Sequence, residues 1–118
     1  MLSVDSSDLL EIEPLEVFRE LNSIKPNIFL LDVRQPEEFS RVSIKGSVLV
    51  PMMELPSRLE EIRDKLDQAK QTVVICRSGQ RSFMVTEWLQ GIGYNQARNL
   101  RGGINAYARE ADPSLEPY

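Results

Sequence analysis

Residues 73–82 read Val-Val-Ile-Cys-Arg-Ser-Gly-Gln-Arg-Ser, and Cys76 is the only cysteine among 118 residues. A β-branched run ends at a thiol, a small polar loop follows, and an amphipathic helical pattern then begins. Sulfur is a strong nucleophile only as thiolate. Three features around Cys76 favour that form. A helix beginning after the loop aims its free N–H groups and positive dipole end at the sulfur. Arg77 and Arg81 add positive charge within a few residues. Gly79 lets the backbone turn so that successive amides point inward as an anion-binding nest. Ser78 and Ser82 offer further hydrogen bonds or a helix cap. The chemistry suited to such a loop is thiolate attack on a small anion, with the charge held by fixed donors.

Taken alone, a cysteine closing an apolar strand is an inert core residue. The polar, glycine-containing turn after it is what points to reactivity, because a buried filler needs no such turn. Arg77 also fits a solvated surface position. Arg81 fits a structural role less well, since a cation is disfavoured at a helix start unless an anion lies nearby. The chain contains no histidine. Cys-His and Ser-His catalysis, an imidazole base and most zinc sites are therefore excluded. Activation of Cys76 must come from amides, a helix end and arginines. A single cysteine allows no disulfide within the chain and fits a reducing compartment.

The elements that must position this loop follow from the apolar pattern. Pro14 opens a helix through about Asn22, with Val17, Phe18 and Leu21 inward, and Lys25-Pro26-Asn27 is a breaker. Ile28 to Val33 is a continuous apolar run with one acid, as a strand buried on both faces reads. Pro36 to Ser40 forms a short helix, and Val48-Leu49-Val50 a short strand closed by Pro51. Leu55, Leu59, Ile62 and Leu66 mark an amphipathic helix over 54–68. Val73 to Ile75 is the strand entering the loop. Val85, Trp88, Leu89 and Ile92 place the next helix, which ends near Gly91 to Gly93. Ala97 to Leu100 reads as a strand, Gly102-Gly103 as a turn, and Ile104 to Tyr107 as a last helix. Trp88, Met52 and Met53 are read as core filling. Asp112 to Tyr118 carries two prolines and reads as an irregular tail.

Strands alternating with helices imply an α/β domain with a mostly parallel central sheet and helices on both faces. Ligands of such sheets bind beyond the carboxyl ends of the strands. Asp32-Val33-Arg34, Cys76-Arg77 and Asn99 to Gly103 each follow a strand, so parallel strands would bring them to one edge. Asp32 needs partners, as an acid ending a buried strand does. Arg34 and Glu38 read as a structural ion pair at the strand-to-helix turn.

At 118 residues the chain reads as one domain with a core that needs no staples. The net charge of −4 argues against nucleic acid or an anionic membrane as the main partner. No apolar run has the length of a membrane span, and the first residues carry no basic-then-apolar pattern, so no secretory signal is expected. The expected setting is cytoplasmic, and neither a cofactor nor a metal is called for.

Cys76-Arg77-Ser78-Gly79-Gln80-Arg81-Ser82 resembles the active-site loop of rhodanese-like sulfurtransferases. Leu31-Asp32-Val33-Arg34-Gln35-Pro36-Glu37-Glu38-Phe39 is similar to the family's other signature segment, and Gly93-Tyr94, Asn99-Leu100 and Gly102-Gly103-Ile104 match its pattern after the active-site helix. The resemblance covers about residues 10–109, leaving an N-terminal arm at 1–9 and a tail at 110–118. It implies a single rhodanese domain. Cys76 would attack the sulfane sulfur of thiosulfate, release sulfite and carry a persulfide to cyanide, a thiol or a protein acceptor. Arg77 and Arg81 would hold the donor anion, the amides of residues 77–82, Ser78, Gly79, Gln80 and Ser82 included, would cradle the persulfide, and Asp32 and Arg34 would support the site's edge. The partners implied are a small anionic sulfur donor and an external acceptor.

From Cys76 to Arg81 the loop has six residues. Phosphatases and arsenate reductases related to this family carry a loop one residue longer, wide enough for a tetrahedral oxyanion. The shorter loop suits a single sulfur atom. The chain departs from the family at Val42-Ser43-Ile44, where many members have Gly-His-Ile, and at Tyr107, where tryptophan is frequent. A non-enzymatic docking or sensing module on the same fold is the alternative reading.

Overall fold

A computed structural model describes residues 10–118, so the arm expected at 1–9 lies outside the described residues. Five strands form one sheet in the order β1-β5-β4-β2-β3, where β1 is Glu11–Ile12, β2 Ile28–Asp32, β3 Val48–Leu49, β4 Gln71–Ile75 and β5 Ala97–Leu100. Every pairing is parallel. The helices are α1 (Pro14–Leu21), α2 (Pro36–Arg41), α3 (Leu55–Gln68), α4 (Gln80–Gly91) and α5 (Gly103–Glu110).

Alternation along the central strands divides the core into two layers. Phe29, Leu31, Val74 and Cys76 face α3 and α4, packing against Leu55, Ile62, Leu66, Val85 and Leu89. Leu30, Val73 and Ile75 face the other way, against Val17 of α1 and Ile104 and Tyr107 of α5. The sheet is therefore covered by helices on both faces, as the apolar pattern implies. Cys76 continues the inward row of β4, so its sulfur sits where the α3–α4 core meets the loop. Among the described residues no helix is long and apolar enough to cross a membrane.

Several local expectations change. β1 is a two-residue strand that no apolar run announces; it pairs Glu11 with Asn99 and Ile12 with Leu100. β4 starts at Gln71 rather than Val73, because Gln71 and Thr72 pair with Ile28 and Phe29 of β2. A short 3₁₀ turn, Met52–Glu54, leads into α3, and α5 runs on to Glu110. Ile92 is 47% exposed, because α4 has ended at Gly91 and the residue caps it instead of facing the core. Met53 is 82% exposed on the 3₁₀ turn, so only Met52 of that pair packs on the core.

Candidate active site

Parallel strands bring the segments after β2, β4 and β5 to one sheet edge, and the Cys76 loop lies at its centre. Cys76 is 1% exposed. Its Sγ accepts hydrogen bonds from the backbone N–H of Gly79 at 3.0 Å and from the Ser82 hydroxyl at 3.1 Å. Ser82 also donates to Asn99 Oδ1. The amide of Asn99 is fixed from its other end, where Nδ2 donates to the Gly79 carbonyl at 3.1 Å and to Glu11 Oε2 at 3.0 Å. A hydroxyl has one proton, so Ser82 serves either the amide oxygen or the sulfur at a given moment. The arrangement lets that proton turn to sulfur as negative charge appears there.

Gly79 caps α4 in the left-handed region, at φ 100°. A Cβ there would stand a tight 3.2 Å from the Gly102 nitrogen, and the left-handed backbone strains any residue that carries one, so the turn favours glycine. The loop is held from below by α5. Ile104 N–H donates to the Cys76 carbonyl at 2.9 Å and Asn105 N–H to the Arg77 carbonyl at 3.2 Å. In a trans peptide the N–H points opposite to the C=O. Turning these two carbonyls toward α5 therefore turns the N–H groups of Arg77 and Ser78 away from it. Gly103 makes this close approach possible, since a Cβ on it would overlap the Arg77 carbonyl and lie 2.6 Å from the Cys76 oxygen.

The charges are arranged in a chain. Asp32 and Arg34 are both fully buried and joined by a forked contact, with Nη2 to Oδ2 at 2.8 Å and Nε to Oδ1 at 2.9 Å. Burial is the largest single influence and opposes the Arg34 charge, but the hydrogen bonds and charge of Asp32, together with the Tyr118 hydroxyl, outweigh it and raise the pKa. Arg34 also donates to the Val42 carbonyl at 2.7 Å and to the Tyr118 hydroxyl at 2.8 Å. Tyr118 in turn donates to Glu38 Oε2 at 2.7 Å. Glu38 receives both Nη groups of Arg81, at 2.8 and 2.9 Å. Those Arg81 bonds hold the Glu38 carboxyl down at about 2. The Glu38 bonds raise the Arg81 pKa, and the Cys76 sulfur is among its smaller electrostatic neighbours. Arg77 makes no ion pair among the described residues; its guanidinium lies 4.6 Å from the centre of the Tyr118 ring.

Cys76, Gly79 and Ser82 are thus brought together at the sulfur, while Arg77, Ser78 and Gln80 are exposed on the loop's outer side. Ser78 does not cap α4; Gly79 does, with no side-chain cap. Asp32 and Arg34 stand behind the site and reach it only through Tyr118 and Glu38. The ion pair expected between Arg34 and Glu38 is replaced by two separate pairs. Asp32 lies nearer Arg34 in space, and α2 turns the Glu38 carboxylate toward Arg81. Glu11 and Tyr118 carry no signal in any local motif, and Glu38 is read from the sequence only as the partner of Arg34. For Asn99 there was a signal, its place at the end of β5. Among the described residues no cluster of three or more His, Cys, Asp and Glu side chains is placed to hold a metal ion.

Residues 15–110 match the family described as Rhodanese-like domain. The chain is 38% identical over 89 residues to Rhodanese-like/PpiC domain-containing protein 12, chloroplastic, of Arabidopsis thaliana, covering 75% of this chain and 30% of that protein. It is 37% identical over 91 residues to a sulfurtransferase of Allochromatium vinosum, covering 77% of this chain and 81% of that one. The crystal structure of a rhodanese-like domain protein from Staphylococcus aureus is similar with a TM-score of 0.74 and 29% identity, covering 92% of this chain and 98% of that chain. The chain therefore spans less than a third of the plant relative and most of the two bacterial ones.

Proposed function

Because this chain belongs to the rhodanese-like domain family, we propose that it is a sulfurtransferase in which Cys76 carries sulfur as a persulfide. The observation that carries the reading is the pair of donors on the sulfur, Gly79 N–H and the Ser82 hydroxyl, inside a six-residue loop from Cys76 to Arg81. They match the needs of a sulfur that alternates between charged and neutral forms. The Cys76 thiolate attacks the sulfane sulfur of a donor such as thiosulfate. A sulfur–sulfur bond to Cys76 forms, the donor's own sulfur–sulfur bond breaks, and its electron pair leaves with sulfite. The persulfide's outer sulfur then carries the negative charge and passes to an acceptor thiol, a protein or cyanide. The chain holds no second thiol, so the acceptor's nucleophile comes from outside these residues. A reducing compartment such as the cytoplasm suits this free thiol.

Mass spectrometry after incubation with thiosulfate tests the proposal. The wild-type chain is expected to gain the mass of one sulfur atom, Cys76→Ser none, and addition of cyanide should return the wild type to its starting mass. A wild-type chain that stays unmodified would favour a docking module without chemistry.

A further inference from the structure

Residues 112–118 form no helix or strand, yet their last side chain sits at the centre of the site's charges. The Tyr118 backbone is clamped to α5 from both sides: its N–H donates to Asn105 Oδ1 at 2.9 Å, and Asn105 Nδ2 donates to its carbonyl at 3.2 Å. The backbone N–H of that same Asn105 holds the Arg77 carbonyl of the Cys76 loop. The phenol accepts from Arg34 at 2.8 Å and donates to Glu38 at 2.7 Å. The ring lies 4.6 Å from the Arg77 guanidinium, 5.3 Å from that of Arg41 and 5.6 Å from that of Arg34. Both arginines of the loop therefore end on one residue, Arg77 on its ring and Arg81 through Glu38.

We propose that Tyr118 is a positioning residue that holds Arg77 and Arg81 in place for the anionic end of the sulfur donor. The inference rests on the sulfur-transfer reading and assigns the grip on the donor within it. Arginine has large rotamer freedom, and an anion that must first order two such side chains binds weakly. Here the ordering is done before the anion arrives. Arg81 gives two N–H groups to Glu38 and keeps three of its five for a ligand. Glu38 offsets part of the Arg81 charge, and the Tyr118 hydroxyl on Glu38 Oε2 draws on that carboxylate and lessens the offset. The exposed face of Arg77 opposite the ring stays open to solvent.

The test separates binding from chemistry. In a Cys76→Ser background, thiosulfate is titrated by calorimetry. Adding Tyr118→Leu should weaken binding about tenfold, and Tyr118→Phe, which keeps the ring on Arg77 and loses only the hydroxyl, about threefold. In the chain with Cys76 intact, Tyr118→Phe should raise KM for thiosulfate and leave kcat within twofold, a split that general loosening of the fold would not produce. Thiosulfate affinity unchanged in both variants overturns the assignment, and so does an equal fall of kcat in Tyr118→Phe. If the wild type is never loaded by thiosulfate, sulfur transfer from that donor fails. Weaker anion binding by Tyr118→Phe would still establish the grip.

Discussion

Replacing Gly103 with alanine should disable the Cys76 loop from beneath, without touching any residue that faces the sulfur. Gly103 has φ 68°, and the left-handed region costs a residue with a Cβ about 1–2 kcal/mol. The added methyl would also overlap the Arg77 carbonyl and stand 2.6 Å from the Cys76 oxygen. These are backbone atoms and cannot rotate aside, so α5 must withdraw. Withdrawal breaks the bonds from Ile104 N–H to Cys76 O and from Asn105 N–H to Arg77 O. At about 1 kcal/mol each, they bring the expected loss to about 3–4 kcal/mol. Gly46 supplies the control. Its φ is 89°, but a Cβ there meets nothing within 4 Å, so Gly46→Ala should cost only the strain, about 1–2 kcal/mol. Urea unfolding of both variants measures the difference, which should be about 2 kcal/mol. Thiosulfate loading should be slowed in Gly103→Ala and normal in Gly46→Ala. Equal destabilisation by the two substitutions would refute the idea that α5 seats the loop through this approach.

The charge chain yields two further expectations. Glu38 is held at about 2 by Arg81, against an ordinary 4.5. A carboxyl depressed in the folded state stabilises fully above its unfolded pKa, loses that contribution as pH falls from about 4.5 to about 2, and has none below. With Arg81 a third exposed, the contribution after solvent screening is on the order of 1 kcal/mol. Glu38→Gln should flatten that part of the acid-unfolding curve, and an unchanged slope between pH 5 and 2 would contradict the pairing. Arg34→Met leaves the Asp32 charge buried without its partner and should cost about 3–5 kcal/mol in urea unfolding, with part recovered in an Asp32→Asn, Arg34→Met double variant. A loss under about 1 kcal/mol would contradict a buried pair.

The parts of this architecture with local causes were legible in the sequence. The runs at 28–32 and 73–75 announce strands because both faces are buried, and Leu55, Ile62 and Leu66 announce α3 because one face is. The Cys76 loop could be read because its glycine, serines and arginines are neighbours. Partnerships across the chain could not. Arg81 and Glu38 are separated by 43 positions, and Tyr118 and Glu38 by 80. Nothing in the composition of 112–118 says where its tyrosine lands. β1 escaped notice because two residues make no pattern; pairing with Asn99 and Leu100 is what makes it a strand. Ile92 shows the opposite error, a residue at helical spacing that lies one step past the helix end.

The Glu11–Asn99 bond spans 88 positions and the Arg34–Tyr118 bond 84. Residues far apart in sequence are thus tied into the hydrogen-bond network that surrounds the Cys76 loop. Asn99 braces Ser82 beside the sulfur, and Tyr118 braces Glu38 beside Arg81. Closures over such long separations come late in folding, since chain entropy opposes them until nearer contacts exist. The donors on the Cys76 sulfur are therefore local, and the partners that brace the loop from outside arrive with the last long-range contacts.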